Sequence, residues 1–113
     1  MAIKAHVGYS VPGKRDIAGN IADHFCGLGY QLAEQFAEES VFRRGNKLAA
    51  FWRFDIRAYA TTLRVRAVPE SNGDTRVSGD WDVWTFMTLA TGADIASLEA
   101  EGCQLELLLR QRA

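Results

Sequence analysis

The sequence predicts an α+β domain, a two-layer sandwich in which an antiparallel meander sheet carries two helices on one face. The expected order is strand, helix, four or five strands, helix. Three observations carry this. The chain opens on apolar alternation, it contains two separate stretches of helical period, and short alternating runs divided by turn residues fill the space between them. Short links favour antiparallel neighbours, because a parallel pair needs a crossover of a dozen or more residues. One sheet and two amphipathic helices bury their apolar faces by stacking as two layers.

Residues 3–11 alternate Ile3, Ala5, Val7, Tyr9 and Val11 against Lys4, His6, Gly8 and Ser10, a half-buried strand. Pro12-Gly13 is expected to break it, with Ser10 as a candidate cap. From about Lys14, Ile17, Ile21, Phe25 and Leu28 fall on one helical stripe, and Gly27 and Gly29 are placed to stop it. Tyr30–Phe36 reads as a strand, although residues 31–40 also suit a helix. Val41–Arg44 reads as a strand and Gly45-Asn46 as a turn into a strand over Leu48–Ile56. Tyr59–Val68 and Thr75–Leu89 flank PESNGD, all of whose turn residues favour a hairpin. Thr91–Asp94 resembles a capping box, and Ile95, Leu98, Gly102, Leu105 and Leu109 stripe a closing helix.

With 113 residues, the chain is expected to form a single domain, 1–113. Hydrophobic residues make up 48% and charged ones 24%, the balance of a soluble globule rather than a disordered chain. Cys26 and Cys103 are too few and too far apart for a zinc cluster or a disulfide framework. The opening MAIKAHVGYSV lacks a signal peptide's apolar run, and no stretch approaches the ~20 apolar residues of a membrane span. A cytoplasmic protein with no cofactor and no metal is expected.

Residues 41–57, VFRRGNKLAAFWRFDIR, set five cations against Asp55, a local charge of +4 in a chain of net charge −1. Alternation divides this stretch between two faces. Trp52 and Phe54 fall on the apolar side, and Phe51 falls outward with Arg53 and Arg57. A single cationic face bearing several aromatics, as single-strand nucleic-acid binding needs, is not formed. The net negative charge also disfavours nucleic acid. A weaker anion site is predicted at Arg43, Arg44 and Lys47, where cations converge on a glycine turn.

A hairpin closed at Asn72-Gly73 sets Arg64 and Arg66 opposite or diagonal to Asp80 and Asp82, so these carboxylates read as solvated ion-pair partners. Trp84 and Phe86 share their outer face and, with Phe51, predict an interface. GxGxxG, Walker, HExxH, GxSxG and CxxC motifs are absent from the sequence. His24 and Cys26, two apart on a helix, point about 200° away from each other. Cys103 reads as a small core hydrophobe, and nothing in the sequence supports an enzyme.

The element order resembles the TATA-binding-protein-like fold and its helix-grip relatives, the START-type ligand-binding domains. Gly29-Tyr30, VFRRGNKL at 41–48, FDIR at 54–57 and the run from Thr75 to Asp94 are also similar to a pattern in small uncharacterised bacterial proteins. In helix-grip proteins an apolar ligand lies between sheet and terminal helix, although this chain lacks the insertion that enlarges the cavity there. The resemblance, together with the inward aromatics, implies a small non-catalytic domain binding an apolar small molecule. Its pocket would be lined by Trp52, Phe54, Trp81, Val83, Leu98 and Leu105, with Gly102 leaving space under the helix. The alternative is a homodimeric protein–protein interaction module using the open sheet face.

Overall fold

The structure, a computed structural model, describes residues 2–12, 17–45, 60–84 and 92–111. Its elements run β1 (Ala2–Pro12), α1 (Ile17–Gly27), β2 (Gln31–Gln35), β3 (Glu39–Arg44), β4 (Thr61–Pro69), β5 (Asp74–Trp84) and α2 (Gly92–Gln111). The described strands form one antiparallel sheet of five, in the order β1-β5-β4-β3-β2. The predicted α+β class holds, and the packing is that of a two-layer sandwich. The expected turn at Gly45-Asn46, the strand over Leu48–Ile56, the continuation of β5 past Trp84 and the Thr91 cap lie outside the described residues.

The β4–β5 hairpin follows the register that its turn dictates. Leu63 pairs with Trp81 and Arg64 with Asp80. Gly73 adopts φ +89° to close the turn, and the Asp74 amide donates to the Asn72 side-chain oxygen at 3.1 Å. Strand alternation then assigns the faces. Phe42, Leu63, Trp81 and Ala5 form one inward row across β3, β4, β5 and β1. Arg64, Asp80 and His6 form an outward row one residue along.

α1 ends in a Schellman motif. The Tyr30 amide donates to the Phe25 carbonyl, the Gly29 amide donates to the Cys26 carbonyl, and Gly29 takes φ +96°. Gly29 is the stop and Gly27 remains within the helix. The motif delivers Tyr30 directly into the core, where Phe25 meets the rings of Tyr30, Phe42 and Trp81. Residues 31–35 and 39–44 resolve as strands. Ser10 is no helix cap: it lies inside β1 opposite Arg76, and its hydroxyl donates to the Glu70 carboxylate.

α2 lays Leu98, Gly102, Leu105 and Leu109 on the sheet, all buried. A Cβ added to Gly102 would stand 2.9 Å from the Trp81 indole and 3.3 Å from Val7. One added to Gly79 would meet the same ring at 3.2 Å. The indole therefore occupies the space that two glycines leave beside it. Cys103, expected in the core, is exposed together with Cys26. One residue beyond Gly102, it is turned about 100° off the buried stripe.

Candidate functional site

A polar cluster centred on Glu101 lies in the core. Arg44, from the inward side of β3, meets Glu101 of α2 end-on: Nη1 to Oε2 is 3.0 Å and Nη2 to Oε1 is 3.4 Å. Their side chains are 7% and 8% exposed, so the pair is removed from water. The Tyr30 hydroxyl donates to Glu101 Oε1 at 2.8 Å and accepts from the Trp81 indole N–H at 3.0 Å. The Arg44 guanidinium also donates to the Leu28 carbonyl and lies 4.0 Å over the Tyr30 ring. His24 Nε2 lies 2.8 Å from the Glu101 carbonyl, an acceptor only, so this nitrogen carries the proton.

This cluster joins α1 and the turn after it, β3, β5 and α2. It stabilises the neutral phenol: burial raises the Tyr30 pKa far above its ordinary value, the Glu101 charge adds to this, and Arg44 opposes it. Both Arg44 terminal nitrogens are hydrogen-bonded and its Nε is buried without a partner among the described residues. Such a buried ion pair is a device for fixing geometry. The cluster is closed to substrate, and it positions the sheet rather than forming a site.

The four described residues of the predicted apolar pocket are all sealed in the core: Trp81 at 2%, Val83 at 0%, Leu98 at 0% and Leu105 at 1% exposure. Trp52 and Phe54 lie outside the described residues. The space beside Trp81, Gly102 and Leu105 is about 10 Å³, about that of one water-sized probe. Gly102, expected to leave room for a ligand, leaves room for the indole.

The pleat turns the two described members of the predicted anion trio to opposite faces. Arg44 faces inward to Glu101, Arg43 is exposed on the outer face, and Lys47 lies outside the described residues. Of the predicted interface, Trp84 is half-buried beside a depression of about 280 Å³ that also touches Arg43, Arg44, Thr62 and Asp82. Phe51 and Phe86 lie outside the described residues.

The larger concavity is elsewhere. A half-open depression of about 590 Å³ lies on the outer sheet face and is lined by Lys4, His6, Thr62, Arg64, Asp80 and Asp82, with Ala5 and Trp81 also contributing. Three strands build it in two cross-strand rows, His6–Asp80–Arg64 and Lys4–Asp82–Thr62. The register places Arg64 opposite Asp80, within the predicted set of opposite or diagonal pairings, but the partner Asp80 takes is His6, whose Nδ1 lies 2.6 Å from Oδ1. Both side chains are more than half exposed, at 61% and 58%. From the sequence, Asp80 and Asp82 read as solvated ion-pair partners. The signal for a site was their sharing of an outer row with Lys4 and His6, which only the β1–β5 register reveals. Among the described residues there is no group of three or more His, Cys, Asp or Glu side chains able to hold a metal.

Fold and groove together define a small α+β domain with a charged depression on its open sheet face. No protein-family model and no curated protein matches the chain.

Proposed function

We propose that this chain is a binding domain whose small polar ligand seats on the outer face of the sheet, against Lys4, His6, Thr62, Arg64, Asp80 and Asp82. The observation that carries this reading is the contrast in space: about 590 Å³ on the outer face against about 10 Å³ beneath α2. Ligand pockets are typically some 300–1,000 Å³ with a few convergent polar groups. The groove walls come from the two adjacent ladders at the β1 end of the described sheet, β1–β5 and β4–β5. A site on paired strands holds its side chains at fixed spacing.

The test is a titration of isotopically labelled protein with a set of small polar compounds, followed by amide NMR. A ligand of this groove shifts the signals of Lys4, His6, Thr62, Arg64, Asp80 and Asp82 together, and Arg64→Ala weakens it. A compound that instead moves Leu98 and Leu105 would restore the apolar pocket. A concentration-dependent dimer that broadens the same outer-face amides would assign the face to a second copy of the chain.

A further inference from the structure

Building on the groove reading, we infer that the ligand is a small zwitterion, a molecule carrying an ammonium group together with a carboxylate or phosphate. The lining charges are balanced and interleaved: Lys4 and Arg64 against Asp80 and Asp82. A simple anion entering the groove meets two carboxylates as well as two cations, and a simple cation meets the converse. Neither gains much net attraction, because attraction to one set of charges is offset by repulsion from the other set lining the same groove. A ligand carrying both signs gains from both sets.

The ladder makes the arrangement directional. His6 already occupies Asp80, leaving Asp82 as the carboxylate with no hydrogen bond or ion pair among the described residues. Arg64 likewise has none among them. Asp82 is paired across β4–β5 with Thr62, and Arg64 with Asp80, so Arg64 and Asp82 sit on the diagonal of one outer-face square. Diagonal neighbours on a sheet face are about 7–8 Å apart. That is the span over which a small molecule can present an anionic group to a guanidinium and an ammonium to a carboxylate. Thr62, half-buried between them, adds a hydroxyl able to donate or accept. Both charged residues are exposed, so either can be replaced without opening the core.

The experiment compares three probes of matched length on labelled protein: γ-aminobutyrate, butyrate and butylamine, each titrated at low ionic strength. The expected result is a γ-aminobutyrate affinity at least about tenfold above that of either singly charged analogue. Arg64→Ala and Asp82→Asn should each remove most of that preference while leaving the amide spectrum of the core unchanged. Butyrate or butylamine binding as tightly as γ-aminobutyrate would overturn the inference. An uncharged probe such as glucose shifting the groove amides, with no zwitterion doing so, would overturn it while leaving the groove a binding site. If no polar probe moves these amides, the inference and the groove reading fall together.

Discussion

Glu101 is 6% exposed, and its charge is tolerated there because every contact it makes is to a donor already fixed by another element. Losing one partner of a buried pair costs about 3–5 kcal/mol, since the other charge is left in a medium that solvates it poorly. Glu101→Gln is therefore expected to destabilise the domain by about 3 kcal/mol in urea denaturation, as is Arg44→Met. The double replacement Arg44→Met with Glu101→Leu should recover much of the loss, because it removes both charges from the interior. Single variants within about 1 kcal/mol of the parent, the range of an exposed pair, would show that water reaches the cluster. At Gly102 two effects oppose each other. Alanine gains about 1 kcal/mol of helix propensity, but its methyl would lie 2.9 Å from the buried indole. Overpacking of a rigid core costs about 1–3 kcal/mol, and Gly79 also lies close to the ring. Gly102→Ala should therefore destabilise by about 1–2 kcal/mol, and a more stable variant would mean that the indole can slide aside. The sequence held one clue to the cluster. Glu101 stands three residues after Leu98 and four before Leu105, a carboxylate on the apolar stripe that calls for a buried cation. The clue was incomplete because Arg44 lies 57 residues away, next to Arg43 and in a run that reads as a solvated basic turn.

At the scale of elements, the β4–β5 hairpin was the most legible part of the chain. Its turn chemistry set the register to within a step, and two strict alternations agreed with it, so Arg64 could be placed opposite or diagonal to Asp80 and Asp82 from the sequence, and it pairs with Asp80. The stretch from Gln31 to Ser40 stayed ambiguous for a physical reason. Every residue of β2 is exposed, and a register shift lies between Leu32 and Glu34, so no buried face imposed a period of two on the sequence. β2 is instead held by pairing with β3, and the Phe36 amide donates to the Glu39 carbonyl at 2.7 Å to close the link. The outer groove was unreadable because its two rows need the β1–β5 register, which joins the first strand to one some seventy residues later. These differences predict unequal sensitivities. Gly73→Ala forces an L-residue to φ +89° and should cost about 1–2 kcal/mol, measurable as a lowered urea midpoint with an unchanged slope. His6→Ala, which removes an exposed pair, should cost less than about 1 kcal/mol. A larger His6 effect would mean that the pair holds β1 on the sheet as well as lining the groove.

For the molecule as a whole, the polar cluster turns local burial into a pH limit on folding. Tyr30 and Tyr9 are both raised well above the tyrosine value of 10.0, burial being the largest cause in each. In the unfolded chain these phenols ionise near that ordinary value, and in the folded chain they hold their protons to higher pH. Between the two, the unfolded state binds fewer protons than the native one, so stability falls as pH rises. The contribution is fully present below the unfolded value. Above it, each such tyrosine removes at most about 1.4 kcal/mol per pH unit. Urea denaturation at pH 8, 9.5 and 11 should therefore give near-constant stability over the first interval and a clear fall over the second. Tyr30→Phe is the informative comparison. It deprives Trp81 of its acceptor and Glu101 of a donor, so it should start less stable at pH 8. It also deletes one of the titrating groups, so its decline from pH 9.5 to 11 should be shallower than the parent's. Parallel declines in the two proteins would mean that Tyr30 ionises alike in both states. The cluster would then have to be open to water in the folded protein, and four separate elements would lose the common anchor that Glu101, Arg44, Tyr30 and Trp81 provide.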